Sequence, residues 1–188
     1  MKGEVILIWI STAVFVFSII ALVSGIFTTG YATSASTSSN VTISTYYSIS
    51  ASSNLSAGIL FGSVNSTAAT DLNATGNYGG SSLSQYNLTV SADSNTNVSF
   101  NISANAALTS SGGNTIGLGN ESYANHTTNA AGTPAVASQV ALTTSEVKAG
   151  SNIGIGSSNH YRFWLDISAG QAVGSYNNTI TFTGYAGA

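Results

Sequence analysis

The sequence predicts an all-β sandwich preceded by a single N-terminal hydrophobic α-helix. Two observations predict this fold: an apolar run at residues 5–27, and later segments in which apolar residues recur at every second position. A chain of 188 residues is long enough for one ordinary domain and an additional segment. We therefore expect an N-terminal helix at residues 1–27, a Ser/Thr-rich linker at residues 28–40 and a β-sandwich at residues 41–188.

The apolar run reads VILIWISTAVFVFSIIALVSGIF and contains no charge. As an α-helix it would be about 35 Å long, enough to cross a hydrocarbon layer of about 30 Å. Three kinds of segment agree with it: an uncut membrane anchor, a secretory signal cut after Ala32, or a pilin-like helix whose leader is cut after Gly3. Signal peptides usually have apolar runs of about 7–15 residues, which favours the anchor or the pilin-like helix. Lys2 favours a start that stays inside, so that the body faces the exterior.

The short start MKGE, followed by this long apolar helix, resembles archaeal type IV pilin-like precursors. Those precursors carry a basic residue and a Gly or Ala just before the cut, and Lys2 and Gly3 match that pattern. Glu4 departs from it, because many pilins have their acidic residue a few places into the helix. The resemblance covers residues 1–27 and implies a leader at residues 1–3 and a role in a surface filament.

Period-two alternation of apolar residues identifies the strands of the sandwich. We predict strands at residues 41–49, 59–64, 86–92, 98–102, 136–142, 161–167 and 176–182. About seven short strands at this spacing are typical of a β-sandwich. Residues 104–135 are rich in Asn, Ala and Gly, and a structureless loop of that length is uncommon in a compact domain. We expect an irregular strand near residues 114–118, or a functional loop.

The terminal stretch HYRFWLDISAGQAVGSYNNTITFTGYA resembles the last hairpin of immunoglobulin-like domains in prokaryotic, particularly archaeal, surface proteins. The pattern is Trp-Leu-Asp at residues 164–166, then Gly170, Gly174 and Tyr176, then an alternating strand. The resemblance implies an immunoglobulin-like sandwich, with both glycines in the turn and Tyr176 across the base of the hairpin. Such sandwiches host many roles, so the likeness implies little about function.

Asn-x-Ser/Thr triplets, the acceptor motif for N-linked glycans, are frequent in this chain. They begin at Asn40, Asn54, Asn65, Asn73, Asn87, Asn97, Asn101, Asn120, Asn125 and Asn177. About half as many are expected by chance from the Asn, Ser and Thr content. On a half-buried strand, residues i and i+2 point to solvent while residue i+1 points inward. We expect this phasing at Asn40, Asn87, Asn97 and Asn101, with glycans on the outer face; a polar face without glycans is the alternative.

Charged residues make up only 5% of the chain, against about 25% in typical domains. The sequence contains no cluster of basic residues that could bind the phosphates of a nucleic acid. Cysteine is absent, and His126 and His160 have no partner at metal-ligand spacing. Calcium bound by Asp71 or Asp93 with loop carbonyls stays open.

Residues for catalysis are not apparent in the sequence. No serine lies in a Gly-x-Ser-x-Gly elbow, and no spacing brings two acids together locally. We assign no catalytic, cofactor-binding or metal residue, expect no cofactor and do not expect an enzyme. Arg162 and Asp166 share one strand face, and we expect a surface pair there.

These features together predict a structural cell-surface glycoprotein. We expect the subunit of an extracellular pilus-like filament, anchored in the membrane before assembly, which then polymerises with copies of itself and carries covalent N-glycans. Low charge favours such packing because it leaves little repulsion between copies. The alternative is a single-pass anchored surface or coat domain that binds a partner or glycan without polymerising.

Overall fold

The computed structural model describes residues 8–19, 38–64, 68–80 and 82–187. The chain divides into two compact units, Met1–Thr42 and Ile43–Ala188. The second unit is called the β-domain below.

In the first unit, residues 8–19 form helix α1, and every side chain of α1 is exposed. The rest of the predicted helix lies outside the described residues, as do Gly3, Ala32 and most of the linker. Among the described residues, no helix is both long enough and apolar enough to span a membrane.

The described residues of the β-domain form twelve strands in three antiparallel sheets. The strands are β1 (Ile49–Ala51), β2 (Ala69–Asn73), β3 (Tyr86–Val90), β4 (Val98–Ala104), β5 (Leu108–Ser110), β6 (Thr115–Ile116), β7 (Glu121–His126), β8 (Val140–Ala141), β9 (Val147–Ile153), β10 (Ser158–Ile167), β11 (Tyr176–Asn177) and β12 (Ile180–Ala186). The largest sheet has the order β1-β3-β10-β7-β8, with β2 also pairing β10; the others have the orders β12-β4-β9 and β11-β5-β6. The prediction of a β-rich fold is confirmed, while the immunoglobulin-like arrangement stays a prediction.

One apolar core lies between the six-stranded sheet and the β12-β4-β9 sheet. Its fully buried side chains come from both sheets: Tyr86, Leu88, Val90, Tyr123, Tyr161 and Phe163 from the first, and Val98, Phe100, Ile102, Ala104, Ala149 and Ile153 from the second. The alternation predicted for residues 86–92 and 98–102 is therefore confirmed in β3 and β4. A smaller cluster of Leu108, Ile116 and Leu165 lies under the β11-β5-β6 sheet.

Two predicted strands are wrong, for different reasons. Residues 41–48 are irregular, and the strand begins only at Ile49, since Ser44 and Tyr46 hydrogen-bond the side chain of Asn95. Residues 59–64 form no strand either. Gly62 has a φ of +72°, a conformation that interrupts an extended run.

Short helical turns replace part of two other predictions. Residues 53–57 form helix α2 (Ser53–Ala57), where no helix was expected, and the Ser52 hydroxyl accepts from the Leu55 N–H as its N-cap. The predicted strand at residues 136–142 is a 3-10 turn (Val136–Ser138) followed by the two-residue β8.

The stretch at residues 104–135 contains more structure than expected. Strand β6 falls where an irregular strand was predicted, but β7 was missed. The first four residues of β7 are all buried, because one of its faces meets the core and the other is covered. A strand buried on both faces shows no alternation of apolar and polar residues.

The predicted terminal hairpin is also wrong. Strand β10 pairs β2, β3 and β7, whereas β12 pairs β4 in a different sheet. The turn after β10 does contain Gly170 with a φ of +77°. The Tyr176 hydroxyl donates to the Ala172 carbonyl at 2.6 Å, so it ties the loop instead of crossing a hairpin.

Arg162 lies on the outer face of β10, and its side chain is completely buried. Its guanidinium donates to the backbone carbonyls of Asn77 (2.9 Å), Pro134 (2.9 Å) and Ser82 (2.8 Å), and it lies 4.3 Å from the centre of the Tyr78 ring. The expectation of a surface pair is therefore wrong: two loops fold over this face and bury the charge. Their carbonyl oxygens satisfy the cation that burial would otherwise penalise.

Asn77, which is completely buried in one of those loops, hydrogen-bonds the backbone of β10 at Phe163. Its side-chain carbonyl accepts from the Phe163 N–H at 2.8 Å, and its amide donates to the Phe163 carbonyl at 2.6 Å. This is the pattern that a neighbouring strand would supply. Asn77 thus fills the position on β10 between the part paired with β3 and the part paired with β2.

We predict that Arg162→Met lowers the free energy of unfolding by about 3 kcal/mol, because several buried carbonyls lose their donors. The matched variant Lys148→Met removes an exposed cation and is expected to change it by less than about 0.5 kcal/mol. Chemical denaturation of the full chain measures both. Equal losses in the two variants would contradict the structural role of Arg162.

Candidate functional site: an apolar groove between two sheet edges

A large groove is lined by residues from all three sheets. Its volume is about 1530 Å³. One wall is formed by β1 and residues 58–64, and the other by β12 and residues 171–179. Leu88, Leu108, Ile116 and Leu165 form the floor. We call it the seam groove.

Each wall presents the edge of a sheet. Within the described chain, β1 pairs only with β3, and β12 pairs only with β4. Edge strands leave backbone N–H and C=O groups without strand partners, which makes them sites where another extended segment can pair.

The two walls contact each other near Gly184. The Tyr47 hydroxyl donates to the Gly184 carbonyl at 3.1 Å, and a Cβ added to Gly184 would lie 3.2 Å from the Cδ1 atom of Ile49. These contacts join the part of the chain that leads into β1 to strand β12.

Apolar side chains also line the rim of the groove. Leu60 is 59% exposed and Val173 is 90% exposed. Phe61 packs against both core clusters, so residues 59–64 belong to the groove wall instead of forming the predicted strand. Polar side chains line the groove as well, among them Gln171, Asn178 and Thr179.

A buried carboxyl group also lines the groove. Glu121 on β7 is only 2% exposed, and its carboxylate accepts from the Asn178 amide at 2.7 Å. Burial raises the pKa of Glu121, and the Asn178 hydrogen bond partly opposes that rise. Among the described residues that line the groove, Glu121 is thus the one carboxylic acid, and its pKa is raised.

The predicted glycan acceptors lie at the surface of the described chain. Asn40, Asn73 and Asn177 are exposed, and six others are half-buried: Asn54, Asn87, Asn97, Asn101, Asn120 and Asn125. Asn65 lies outside the described residues. The structure does not gather these acceptors into one site, and whether they carry glycans stays a prediction.

The predicted phasing of the triplets holds at some sites only. Leu88 and Ile102, in the triplets of Asn87 and Asn101, are buried between half-buried neighbours. In the triplet of Asn97 the serine at position 99 is buried as well. In the triplet of Asn40 the middle residue, Val41, was expected to point inward, but its side chain is 83% exposed.

The two histidines, far apart in sequence, lie directly opposite each other on β7 and β10. Burial and the neighbouring His126 lower the pKa of His160. The His126 Nδ1 atom accepts from the Thr128 N–H at 2.8 Å, so that nitrogen is already engaged. Within the described ranges no three potential metal-ligating side chains lie together.

The acids considered for calcium lie apart. Asp71 accepts from the Gln139 amide at 2.8 Å, while its own N–H donates to Asp166 at 2.8 Å. Asp93 lies in the turn between β3 and β4. The structure does not bring these residues into one candidate site.

Sequence reasoning missed the groove and Glu121. The pattern at residues 59–64 gave a signal, since its apolar side chains had to be buried somewhere, but no local rule placed them beside β12. Only long-range pairing of β1 with β3 and of β12 with β4 creates the two edges.

The chain matches no protein-family model, no curated protein and no solved structure.

We predict that the stability of the chain falls as pH rises above about 4.5, the ordinary pKa of Glu121. Because the folded pKa is raised, the stabilising contribution of the protonated carboxyl is complete below the unfolded pKa and is lost as pH passes the folded one. The Gln side chain of the Glu121→Gln variant does not titrate. The difference in stability between this variant and the unsubstituted chain, measured by thermal denaturation, should therefore shift in favour of the variant between pH 4 and pH 8.

Glu146→Gln is the matched control, because the pKa of Glu146 is shifted in the opposite direction from that of Glu121. Hydrogen bonds from Asn101 and then Thr183 lower the pKa of the exposed Glu146, so its contribution is present above the unfolded pKa and is lost as pH falls. A difference between Glu121→Gln and the unsubstituted chain that does not change with pH would refute the assignment for Glu121.

Proposed function

We propose that this chain is a structural subunit of an extracellular filament at the cell surface, made of copies of the same chain and carrying covalent N-glycans. The observation that carries the proposal is helix α1. Its sequence, IWISTAVFVFSI, is mostly apolar and carries no charge, and all of its side chains are exposed. Such a helix needs lipid or other helices around it; before assembly lipid would cover it, and afterwards neighbouring copies.

The β-domain supports the same proposal. Its charged content is low, so copies of the chain repel one another weakly. Exposed Asn-x-Ser/Thr triplets would supply the hydration that charges usually provide.

We predict that material sheared from the cell surface contains this chain as long threads, seen by negative-stain electron microscopy. N-terminal sequencing should then give Glu4 if the leader ends at Gly3, or Thr33 if the cut follows Ala32. Detergent-released monomers that begin at Met1 would instead favour an anchored coat domain that does not polymerise.

We also predict that glycan occupancy follows exposure. Mass spectrometry of peptides from surface material should show the highest occupancy at Asn40, Asn73 and Asn177, whose side chains are exposed. Asn97 and Asn101 serve as internal comparisons, because their amides donate to Asn152 and Glu146 at 3.0 Å each. Surface material without glycans at any acceptor would contradict the glycoprotein part of the proposal.

A further inference from the structure

We infer that the seam groove is a binding site for a small organic cation, a molecule that carries an ammonium group on an apolar body. The ammonium group binds the carboxylate of Glu121, and the apolar body covers the floor of the groove. The inference goes beyond the proposed function and does not depend on it, since every residue that it uses belongs to the β-domain.

The carboxyl group of Glu121 has one oxygen that is engaged and one that is not. The side chain is only 2% exposed, yet it lines the groove. Its Oε2 atom accepts from the Asn178 amide at 2.7 Å, whereas Oε1 accepts no hydrogen bond from the described residues. The fully buried side-chain atoms that lack a partner in the described chain are the His160 Nδ1 atom and the Tyr161 hydroxyl oxygen. Because Oε1 is not one of them, it keeps access to the groove as an unused acceptor.

Asn178 adds a second acceptor beside Glu121. Its amide nitrogen donates to Glu121 and, at 3.3 Å, to the Ala106 carbonyl, so both of its hydrogens are used. The side-chain carbonyl oxygen of Asn178 accepts no hydrogen bond from the described residues, and Asn178 also lines the groove. An ammonium group has three donors and no acceptor. It can therefore bind the free oxygens of both side chains, which a carboxylate ligand cannot do.

The groove lining contains no charge that competes with Glu121. Lys, Arg, His and Asp are absent from the described residues that line it. The other titratable side chain there is Tyr176, whose hydroxyl donates to the Ala172 carbonyl at 2.6 Å. A cation in the groove is therefore attracted by one carboxylate and repelled by nothing, whereas an anion is only repelled. This difference is larger among buried groups than in water.

The floor of the groove supplies the surface for the apolar body of the ligand. It consists of Leu88, Leu108, Ile116 and Leu165, and Leu165 lies directly opposite Glu121 across β10 and β7. The groove volume of about 1530 Å³ exceeds the range of about 300–1000 Å³ that is common for small-ligand pockets, so a ligand of ordinary size has room. Apolar side chains with a few placed polar groups are the usual lining of such sites.

Burial gives the carboxylate its preference for a cation over a neutral donor. Among apolar side chains the ionised group has lost hydration, and this loss is the main cause of the raised pKa of Glu121. The only other cause is the Asn178 hydrogen bond, so no cation of the protein compensates for the lost hydration. A bound ammonium group supplies the missing opposite charge, whereas a hydroxyl group supplies a hydrogen bond alone.

Three probes with the same apolar body and different head groups test the site: phenylbutylammonium, phenylbutanol and phenylpentanoate. The full chain is held in zwitterionic lipid nanodiscs, which cover α1, and empty nanodiscs give the background. Isothermal titration calorimetry should show that phenylbutylammonium binds at least about tenfold more tightly than the other two, because a charge-assisted hydrogen bond is stronger than a neutral one. Equal affinities for the three probes, or binding of none, would overturn the inference.

The variant Glu121→Gln tests whether the carboxylate is the cause. Gln keeps the shape and an oxygen that can accept from Asn178, but it carries no charge. The affinity for phenylbutylammonium should fall by at least about tenfold, while that for phenylbutanol should stay within about twofold. Glu146→Gln removes an exposed acid outside the groove lining and should change neither affinity. An equal effect of the two variants would contradict the site.

The pH dependence of binding is a readout that needs no substitution. Phenylbutylammonium binds the carboxylate, so its affinity should rise between about pH 4 and pH 8 as Glu121 loses its proton, while the affinity for phenylbutanol should not change. The probe keeps its own charge over this range, since amines of this kind have a pKa of about 10. An affinity for phenylbutylammonium that is constant over this range would refute the role of Glu121.

The two proposals fail in different ways. These measurements involve no surface threads, so a negative result leaves the proposed function as it stands. If the chain forms no threads at the cell surface, the proposed function is wrong, and the binding site in the groove is unaffected.

Discussion

The burial of the Arg162 guanidinium is the interaction on which the rest of the β-domain depends. A cation without contact to water needs acceptors matched around it, and here backbone carbonyls from two separate loops supply them. Those loops must therefore fold over the outer face of β10. Once they do, β10 is covered on both faces and becomes the central strand of the largest sheet, with the core residues Tyr161 and Phe163 on its inner face.

This central strand also determines where the groove lies. Leu165, near the end of β10, belongs to the groove floor and to the smaller apolar cluster. Strand β10 thus contributes both Arg162, which binds the two loops, and a residue of the groove floor.

Local sequence patterns predicted the elements whose burial is one-sided. Strands β3 and β4 show clear alternation because one face meets the core and the other meets solvent, and the β-rich character followed from them. Strand β7 was not predicted, because both of its faces are covered and its sequence therefore shows no alternation of apolar and polar residues. Residues 41–43 show the opposite case: the alternation is present, but no strand of the described chain pairs with them.

The candidate site could not be predicted in the same way. The acceptor asparagines are visible in the sequence because their motif is three residues long, but of the nine described acceptors only three are exposed and six are half-buried. The groove, in contrast, is the product of pairings between residues far apart in the chain. Arg162 looked like a surface residue because alternation assigns it to the outer face, and no local rule shows that loops will cover that face.

Hydrogen exchange measured by mass spectrometry, on the unsubstituted chain and on Arg162→Met, tests the account most directly. Backbone amides of β10 should be strongly protected in the unsubstituted chain, since Arg162 and Asn77 fix that strand. The same amides should exchange faster in Arg162→Met, because the two loops lose the donors that hold them over β10. Fast exchange of β10 in the unsubstituted chain, or equal exchange in both chains, would contradict the account.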